Sequence, residues 1–307
     1  MKNLNVVVSL ITSDNDYQME QATAAQEAAQ RLGMTLHVMY AGNDAVNQSQ
    51  QLLQLIQDRN QRPDAIVVEP VGTGMVQVAR AANLAGIGWA VINREVEYIS
   101  ELHQARRAPV FGISTDQEEV GKIQGKQFGV MVREGNVLYL EGPSSGSVAR
   151  LRTKGMQSSK PADVNVKSLK GDWTKASAYH AVKSWLSLST SRQLQIRAVG
   201  CQNDAMAIGA RDAFEELPES QGREQWRNTP FTGCDGVTRT GQEWVRRGLL
   251  CATVVTPPTA GVALEVMAQA IHSGSQPPER TLTVPRSYPP LEELAAKYAK
   301  KAQAATP

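Results

Sequence analysis

The stretch "AVGCQNDAMAIGA", residues 198–210, joins an apolar run to a small amphipathic helix through three polar residues. Gln202, Asn203 and Asp204 lie where a strand should stop and a helix should begin. Side chains at such a junction cap the helix, form a turn or contact a ligand. The rest of the chain has to decide among these roles.

Ten apolar, β-branched runs recur along the chain in two successive groups. The first group covers 4–11, 35–40, 65–70, 88–93 and 109–114, and the second covers 135–142, 163–169, 195–201, 230–234 and 250–255. Segments of helical periodicity separate the runs, and strands that alternate with helices form parallel sheets. The sequence therefore predicts an α/β fold with two similar lobes, each a parallel sheet flanked by helices.

Composition narrows the class of partner. The 307 residues include 32 Lys and Arg against 30 Asp and Glu, so no strong field favours nucleic acid or an anionic membrane. The spacing of the three cysteines matches neither a disulfide framework nor a zinc site, and the four histidines are scattered singly. We predict no metal, three free thiols and a small neutral or mixed-charge ligand.

Polar and aromatic side chains collect just after the apolar runs, where open α/β sheets bind ligands. They are Asn15, Tyr17, Glu69, Asn93, Arg94, the segment 144–152, Trp173, Asn203 and Asp235. Amide, guanidinium and carboxylate groups form paired hydrogen bonds, and an aromatic face covers C–H surface. This combination favours a sugar.

Each of these residues also has a purely structural interpretation. Taken singly, Asn203 and Asp235 are more typical of helix N-caps than of ligand contacts. Tyr17 and Trp173 are equally typical of surface aromatics, and Arg94 of a solvated charge. The joint placement at strand ends is what favours binding.

Three short motifs imitate catalytic or cofactor sites. "GPSSG" (142–146) has the G-x-S-x-G form of a hydrolase nucleophile, with Ser144 as the serine and two histidines downstream. A serine hydrolase using Ser144 therefore stays as an alternative. "GKIQGK" (121–126) lies in a helical segment, and "GTG" (72–74) lacks a third glycine, so no cofactor is predicted.

The order and spacing of "INR" (92–94), "ARLRTKGM" (149–156), "CQNDAMAIGA" (201–210) and "GCDG" (233–236) resemble the type I periplasmic binding proteins. The likeness is to the ribose and galactose binders, which share their fold with the core of lac-repressor-type regulators. It covers about residues 4 to 286. It implies two Rossmann-like lobes joined by a three-segment hinge, with a sugar bound in the cleft as the lobes close. The first lobe would be 1–115 plus 257–282, and the second 116–256 plus 283–307.

The same resemblance implies a set of ligand-binding residues. They are Asn15, Tyr17, Asn93, Arg94, Arg152, Trp173, Asn203, Asp235 and Thr256. Within "QND" it assigns Asn203 to the ligand wall and leaves Asp204 as the helix cap.

The chain departs from the ribose pattern at four positions. Gln18 and Cys234 replace aromatic residues, Asn93 replaces an aspartate and Thr256 replaces a glutamine. These changes should weaken ribose binding. They leave an anionic or modified sugar open, with Glu69 as a compensating carboxylate.

The leading interpretation is a non-catalytic solute-binding protein that delivers a sugar to an ABC permease or a membrane sensor. It would be a monomer in the periplasm, with a leader in its precursor; a cytoplasmic location is the alternative. An effector-binding core of a lac-repressor-type regulator is a second alternative, without a DNA-binding headpiece before the first strand. We also expect an exposed insertion at 215–228 and a terminal helix in "LEELAAKYAKKAQAA".

Overall fold

The computed structural model describes residues 3–72, 74–144, 146–189, 191, 194–218, 226 and 228–304. The chain forms two compact units. Unit 1 consists of Met1–Thr115 and Pro258–Thr283, and unit 2 of Asp116–Pro257 and Val284–Pro307. That the units act as separate lobes about a hinge stays a prediction.

Unit 1 is a six-stranded parallel sheet with helices on both faces. Its strands are β1 (Asn5–Leu10), β2 (Thr35–Tyr40), β3 (Ala65–Val68), β4 (Gly88–Ile92), β5 (Val110–Thr115) and β11 (Arg280–Thr283). Its helices are α1 (Asp16–Leu32), α2 (Ala45–Gln57), α3 (Val76–Leu84), α4 (Tyr98–Ala105) and α10 (Ala260–Ser273). The strand order is β11-β5-β4-β3-β1-β2, and every pair is parallel.

Unit 2 repeats this architecture with one antiparallel edge. Its strands are β6 (Gly135–Glu141), β7 (Val164–Lys170), β8 (Ile196–Cys201), β9 (Phe231–Asp235), β10 (Ala252–Val255) and β12 (Arg286–Tyr288). Its helices are α5 (Gln117–Met131), α6 (Ser147–Ser159), α7 (Lys175–Leu186), α8 (Asp204–Glu215), α9 (Gly241–Arg246) and α11 (Leu291–Ala304). The order is β12-β10-β9-β8-β6-β7, with β12 antiparallel to β10.

Helices cover both faces of each sheet, which explains the unbroken apolar runs of the strands. In unit 1, α1 and α10 pack alanine, leucine and methionine side chains against one face, and α2, α3 and α4 cover the other. In unit 2, α7 and α8 cover one face and α5 and α6 the other. Because the parallel strands of each sheet run in the same direction, their carboxyl ends lie along one edge of the sheet. The helices cover the faces, so this edge is available to polar side chains.

The structure confirms the predicted α/β class and ten of the strands to within a few residues. The sequence analysis missed β11 and β12, which are short edge strands with exposed residues and no apolar run. The "GKIQGK" motif lies inside α5, and the terminal helix is present as α11. Of the expected insertion at 215–228, positions 219–225 and 227 lie outside the described residues.

Candidate functional site

The strand ends of unit 1 carry four polar residues, which we call the unit 1 cluster: Gln18, Glu69, Asn93 and Arg94. Gln18 lies in the first turn of α1, Glu69 directly follows β3, and Asn93 and Arg94 follow β4. In the parallel sheet β3 lies between β1 and β4, so these positions are neighbours.

The first turn of α1 holds two predicted site residues. Asn15 is the N-cap, and its Oδ1 accepts hydrogen bonds from the backbone N–H groups of Tyr17 (2.9 Å) and Gln18 (3.3 Å). Tyr17 is only 4% exposed, so the surface-aromatic interpretation of this residue is wrong. Asn15 has the capping role that the sequence analysis considered only for other residues.

Glu69 is the centre of the unit 1 cluster. It is 2% exposed, and each carboxylate oxygen accepts an amide N–H: Oε2 from Gln18 Nε2 at 2.9 Å, and Oε1 from Asn93 Nδ2 at 2.9 Å. Gln18 Oε1 accepts from the backbone N–H of Ile11 at 3.0 Å. Such donors stabilise a buried carboxylate. The sequence analysis named Glu69 but did not place it among the binding residues.

Asn93 and Arg94 form the turn that leaves β4. Asn93 adopts a left-handed backbone conformation with φ of 57°, which asparagine tolerates better than most residues with a side chain. Within the part of the chain that the structure describes, Arg94 Nε is buried and has no hydrogen-bond partner. A buried unsatisfied donor is costly, so it indicates a water or ligand acceptor at this position.

The strand ends of unit 2 bring together the unit 2 cluster: Arg152, Trp173, Asn203 and Asp235. Arg152 extends from α6 and is 3% exposed. Its Nε donates to Gln117 Oε1 at 2.8 Å, and its Nη1 donates to the carbonyl oxygen of Gln202. Nη1 also lies 3.6 Å from Asp235 Oδ1. The guanidinium is thus a fixed cation held beside an anion.

Trp173 lies beside this cation. Its ring centroid is 5.8 Å from the Arg152 guanidinium carbon, within cation–π distance. Its backbone has φ of 73°, and its ring packs over Gly142 so closely that a Cβ there would lie 2.2 Å from Cζ2. Only a glycine fits beneath the ring. The first glycine of "GPSSG" is therefore required by the packing of Trp173.

The structure assigns the capping role within "QND" to Asn203. Asn203 is the N-cap of α8: its Oδ1 accepts from the Met206 backbone N–H at 2.9 Å, while its Nδ2 donates to the Trp173 carbonyl at 2.8 Å. The prediction that Asp204 caps the helix is therefore wrong. Asn203 has a structural role at the cluster, and its ligand role stays a prediction.

Asp204 instead holds the loop after β9. Its carboxylate accepts from the Gly236 backbone N–H at 2.7 Å and from Thr253 Oγ1 at 2.6 Å. Burial, followed by the negative charge of Asp235, raises the pKa of Asp204 well above its ordinary value. A buried side chain that links β9 and β10 cannot also turn outward to cap α8.

The remaining predicted positions lie around Asp235. Asp235 ends β9 with φ of 100° and is not an N-cap, so that interpretation is wrong; the N-cap of α9 is Thr240. The Thr256 N–H donates to the Asp235 carbonyl at 3.0 Å, and its hydroxyl lies 3.4 Å from the same oxygen. Cys234 is a core residue packed with Val120, and burial raises the pKa of its thiol.

Gln202 is a functional candidate that the sequence analysis did not single out for binding. Its Oε1 accepts from the Gly142 N–H at 2.9 Å, and its Nε2 donates to Thr153 Oγ1 at 2.9 Å. It therefore ties the "GPSSG" loop to α6 and accepts a bond from Arg152 through its own carbonyl. The sequence signal that could have identified Gln202 was its position next to Asn203 in "QND".

Neither a catalytic serine nor a metal centre emerges from the described residues. Ser144 is exposed, and within the described ranges no hydrogen bond joins it to a histidine; Ser145 lies outside them. No group of three potential metal ligands from His, Cys, Asp or Glu is found among the described residues. The helices described here also include none with the length and hydropathy to cross a bilayer.

Asp204→Asn should flatten the pH dependence of the free energy of unfolding. Since folding raises the pKa of Asp204 above its unfolded value, its stabilising contribution is complete below the unfolded pKa and is lost as pH rises through the folded pKa. Urea denaturation between about pH 4 and pH 8 should show the parent losing stability relative to the variant. Asp212→Asn, on the same helix but partly exposed, is the control and should keep the parent's slope. Equal slopes for the parent and Asp204→Asn would contradict the assignment.

Comparison with known proteins gives three findings on family and fold. A family model described as periplasmic binding protein domain matches residues 6–275. The galactofuranose-binding protein YtfQ of Escherichia coli K12 is 25% identical over 304 residues, covering 96% of this chain and 91% of that protein. The ribose import binding protein RbsB of the same organism is 27% identical over 259 residues, covering 82% and 79%.

A solved structure shows the same fold. It is an ABC transporter periplasmic solute binding protein from Actinobacillus succinogenes 130z with bound D-allose. Its TM-score to this chain is 0.80 at 20% identity, over 96% of this chain and 100% of that one.

Proposed function

Because the chain belongs to the family of periplasmic binding protein domains, we propose that it is a solute-binding protein that captures a sugar for an ABC importer or a membrane sensor. The galactofuranose and ribose binding relatives support a sugar as the ligand class. The observation that carries the proposal is the unit 2 cluster, in which a buried arginine, an aromatic ring and a carboxylate lie together at the strand ends.

The chemistry of both clusters suits a polyhydroxylated ligand. A sugar hydroxyl both donates and accepts, so it pairs with carboxylates and amide oxygens on one side and with guanidinium groups on the other. Trp173 supplies an apolar face for ring C–H groups. The unpartnered Nε of Arg94 supports a ligand acceptor at unit 1. We propose that nine residues contribute to binding: Asn15, Tyr17, Asn93, Arg94, Arg152, Trp173, Asn203, Asp235 and Thr256.

The proposal assigns no chemistry to the bound sugar. The family consists of solute-binding domains, and the exposed Ser144 has no described histidine partner, which favours binding over hydrolysis. We place the protein in the periplasm as a monomer, with a permease or sensor as its partner.

A thermal-shift screen tests this function directly. The purified chain is melted with pentoses, hexoses, polyols and sugar acids, because a ligand that binds only the folded state raises the midpoint. A concentration-dependent rise with at least one sugar supports the proposal. A flat response across the whole panel contradicts it.

Asn203→Ala should weaken binding of the best sugar from this screen by roughly tenfold or more. The change removes the Nδ2 donor that holds the Trp173 carbonyl and leaves polar groups unpaired, at about 1 to 3 kcal/mol. Asn203→Ser keeps an N-cap oxygen and separates the helix effect from the binding effect. Asn136→Ala is the matched control, because Asn136 lies at the start of β6, whereas Asn203 follows the carboxyl end of β8. If calorimetry gives both Asn203 variants the sugar affinity of the parent, Asn203 is only a helix cap and does not contribute to binding.

A further inference from the structure

We propose that unit 1 carries a second ligand site, which binds a small molecule with two or more phosphate or carboxylate groups. The site is a cavity of about 430 Å³, within the range of roughly 300–1,000 Å³ that small-molecule pockets span. All of its lining residues belong to unit 1, and none of them is assigned above to sugar binding.

The cavity lies where the chain enters three neighbouring strands. Asp64 precedes β3, Gly88 begins β4 and Pro109 precedes β5, and all three residues line the cavity. These strands are parallel, so their amino ends share one edge of the sheet. Glu69 and Asn93 of the unit 1 cluster follow the carboxyl ends of β3 and β4. The length of the strands therefore separates the cavity from that cluster.

Hydrogen bonds hold the walls of the cavity in place. Gln276 follows α10, and its Nε2 donates to the Ala108 carbonyl at 2.7 Å while its Oε1 accepts from the Val110 N–H at 3.3 Å. The Gly88 N–H donates to the Asp64 carbonyl at 3.0 Å and joins the starts of β3 and β4. A cavity built in this way needs little ordering when a ligand binds.

The charged groups around the cavity are mainly positive. Three arginines line it, Arg62, Arg106 and Arg107, against the single carboxylate of Asp64. That carboxylate already accepts the Asn5 backbone N–H through Oδ2 at 2.9 Å. Within the described part of the chain, none of the three arginines forms an ion pair. The cavity therefore carries an excess of positive charge.

Local structure brings the arginines to the cavity. Arg62 Nε donates to the Ile56 carbonyl at 3.0 Å, and its terminal nitrogens form no hydrogen bond to the described residues. Arg106 is the C-cap of α4 with φ of 51°, a left-handed conformation that glycine favours. This turn places Arg106 and the adjacent Arg107 at the same cavity.

The guanidinium groups indicate the ligand class. Their planar N–H groups form paired, charge-assisted hydrogen bonds with phosphate and carboxylate. Three separate guanidiniums match a ligand with more than one anionic group better than a single small ion. A neutral sugar offers them no negative charge, so it should bind at the strand ends and not in this cavity.

Calorimetric titrations with inorganic pyrophosphate and with citrate test the site. The two anions differ in their acidic groups, so the titrations distinguish a phosphate site from a carboxylate site. We expect saturable binding of at least one anion at low ionic strength, and weaker binding at about 0.15 M salt, where the Debye length is about 8 Å. Binding should persist when the sugar found in the screen is saturating.

Arg106→Gly is the sharpest variant, because glycine suits the left-handed turn. It should melt no lower than the parent and yet bind the anion about tenfold more weakly or worse. Arg107→Gln should lose a similar factor. Arg59→Gln is the matched control: Arg59 is exposed in the same loop as Arg62 but does not line the cavity, so affinity should stay within about twofold.

Three results would overturn the inference. They are no saturable binding of either anion, an equal loss of affinity in Arg59→Gln, which indicates diffuse surface charge only, and displacement of the anion by the sugar, which places it at the strand ends. Each leaves the proposed sugar-binding function standing, since the sugar screen tests that function alone.

Discussion

Replacing Arg152 by methionine should weaken sugar binding by about 30-fold to more than 1,000-fold. The guanidinium is buried and pairs with Gln117, the Gln202 carbonyl and Asp235, and methionine keeps its length without any donor. Removing one partner of a buried charge pair costs about 2 to 5 kcal/mol, and 1.4 kcal/mol is tenfold in affinity. Calorimetry with the sugar identified in the screen measures the loss.

Arg150→Met is the matched control for this change. Arg150 lies on the same helix but is exposed, so its replacement should leave affinity within about twofold. Urea denaturation of both variants should show a lower free energy of unfolding only for Arg152→Met, since it leaves Asp235 near Asp204 without the cation. If Arg152→Met binds the sugar as tightly as the parent, the unit 2 cluster is not part of the binding site.

Gly121→Ala should lower the free energy of unfolding by about 3 kcal/mol, the upper end of the range for overpacking. A Cβ at this position of α5 would lie 2.0 Å from the Arg152 carbonyl oxygen and 2.8 Å from the Met156 backbone nitrogen. Backbone atoms cannot rotate away, so α6 has to move and take Arg152 with it. Urea denaturation gives the stability, and calorimetry should show a parallel loss of sugar affinity.

Gly129→Ala, in the same helix, tests the same substitution without the clash. Its nearest neighbour would be Pro161 Cγ at 3.5 Å, an ordinary contact. Alanine is the better helix former, so this variant should gain about 0.5 to 1 kcal/mol. If Gly121→Ala is as stable as Gly129→Ala, the close packing of α5 on α6 is wrong.

Most of the fold was predictable because parallel strands covered by helices on both faces leave an unambiguous apolar signal. The run "AIVVEP" is an example: β3 is buried throughout, and the polar Glu69 marks its end. Strands β11 and β12 carry no such signal, since they are short, partly exposed and lie at sheet edges. Their pairing depends on neighbours far away in the sequence.

The placement of the candidate site residues at strand ends was predictable, but their hydrogen bonds were not. Strand ends located Arg94, Trp173 and Asp235, because topology fixes which residues share an edge. The structural role of Asp204 depends on donors from the loop after β9 and from β10, which no local pattern shows.

The hydrogen bond between Glu69 and Asn93 was hidden for a similar reason. It joins side chains at the ends of two adjacent strands whose register only the folded sheet defines. The burial of Tyr17 likewise follows from the packing of α1, not from the helix start that its position marks.

Calorimetric titration of the parent chain with the neutral sugar that gives the largest thermal shift tests the central claim most directly. We predict saturable binding with one site per chain and a Kd of about 1 μM or tighter, equivalent to about −8 kcal/mol. No saturable heat with any sugar of the panel would contradict the assignment of this chain as a sugar-binding protein.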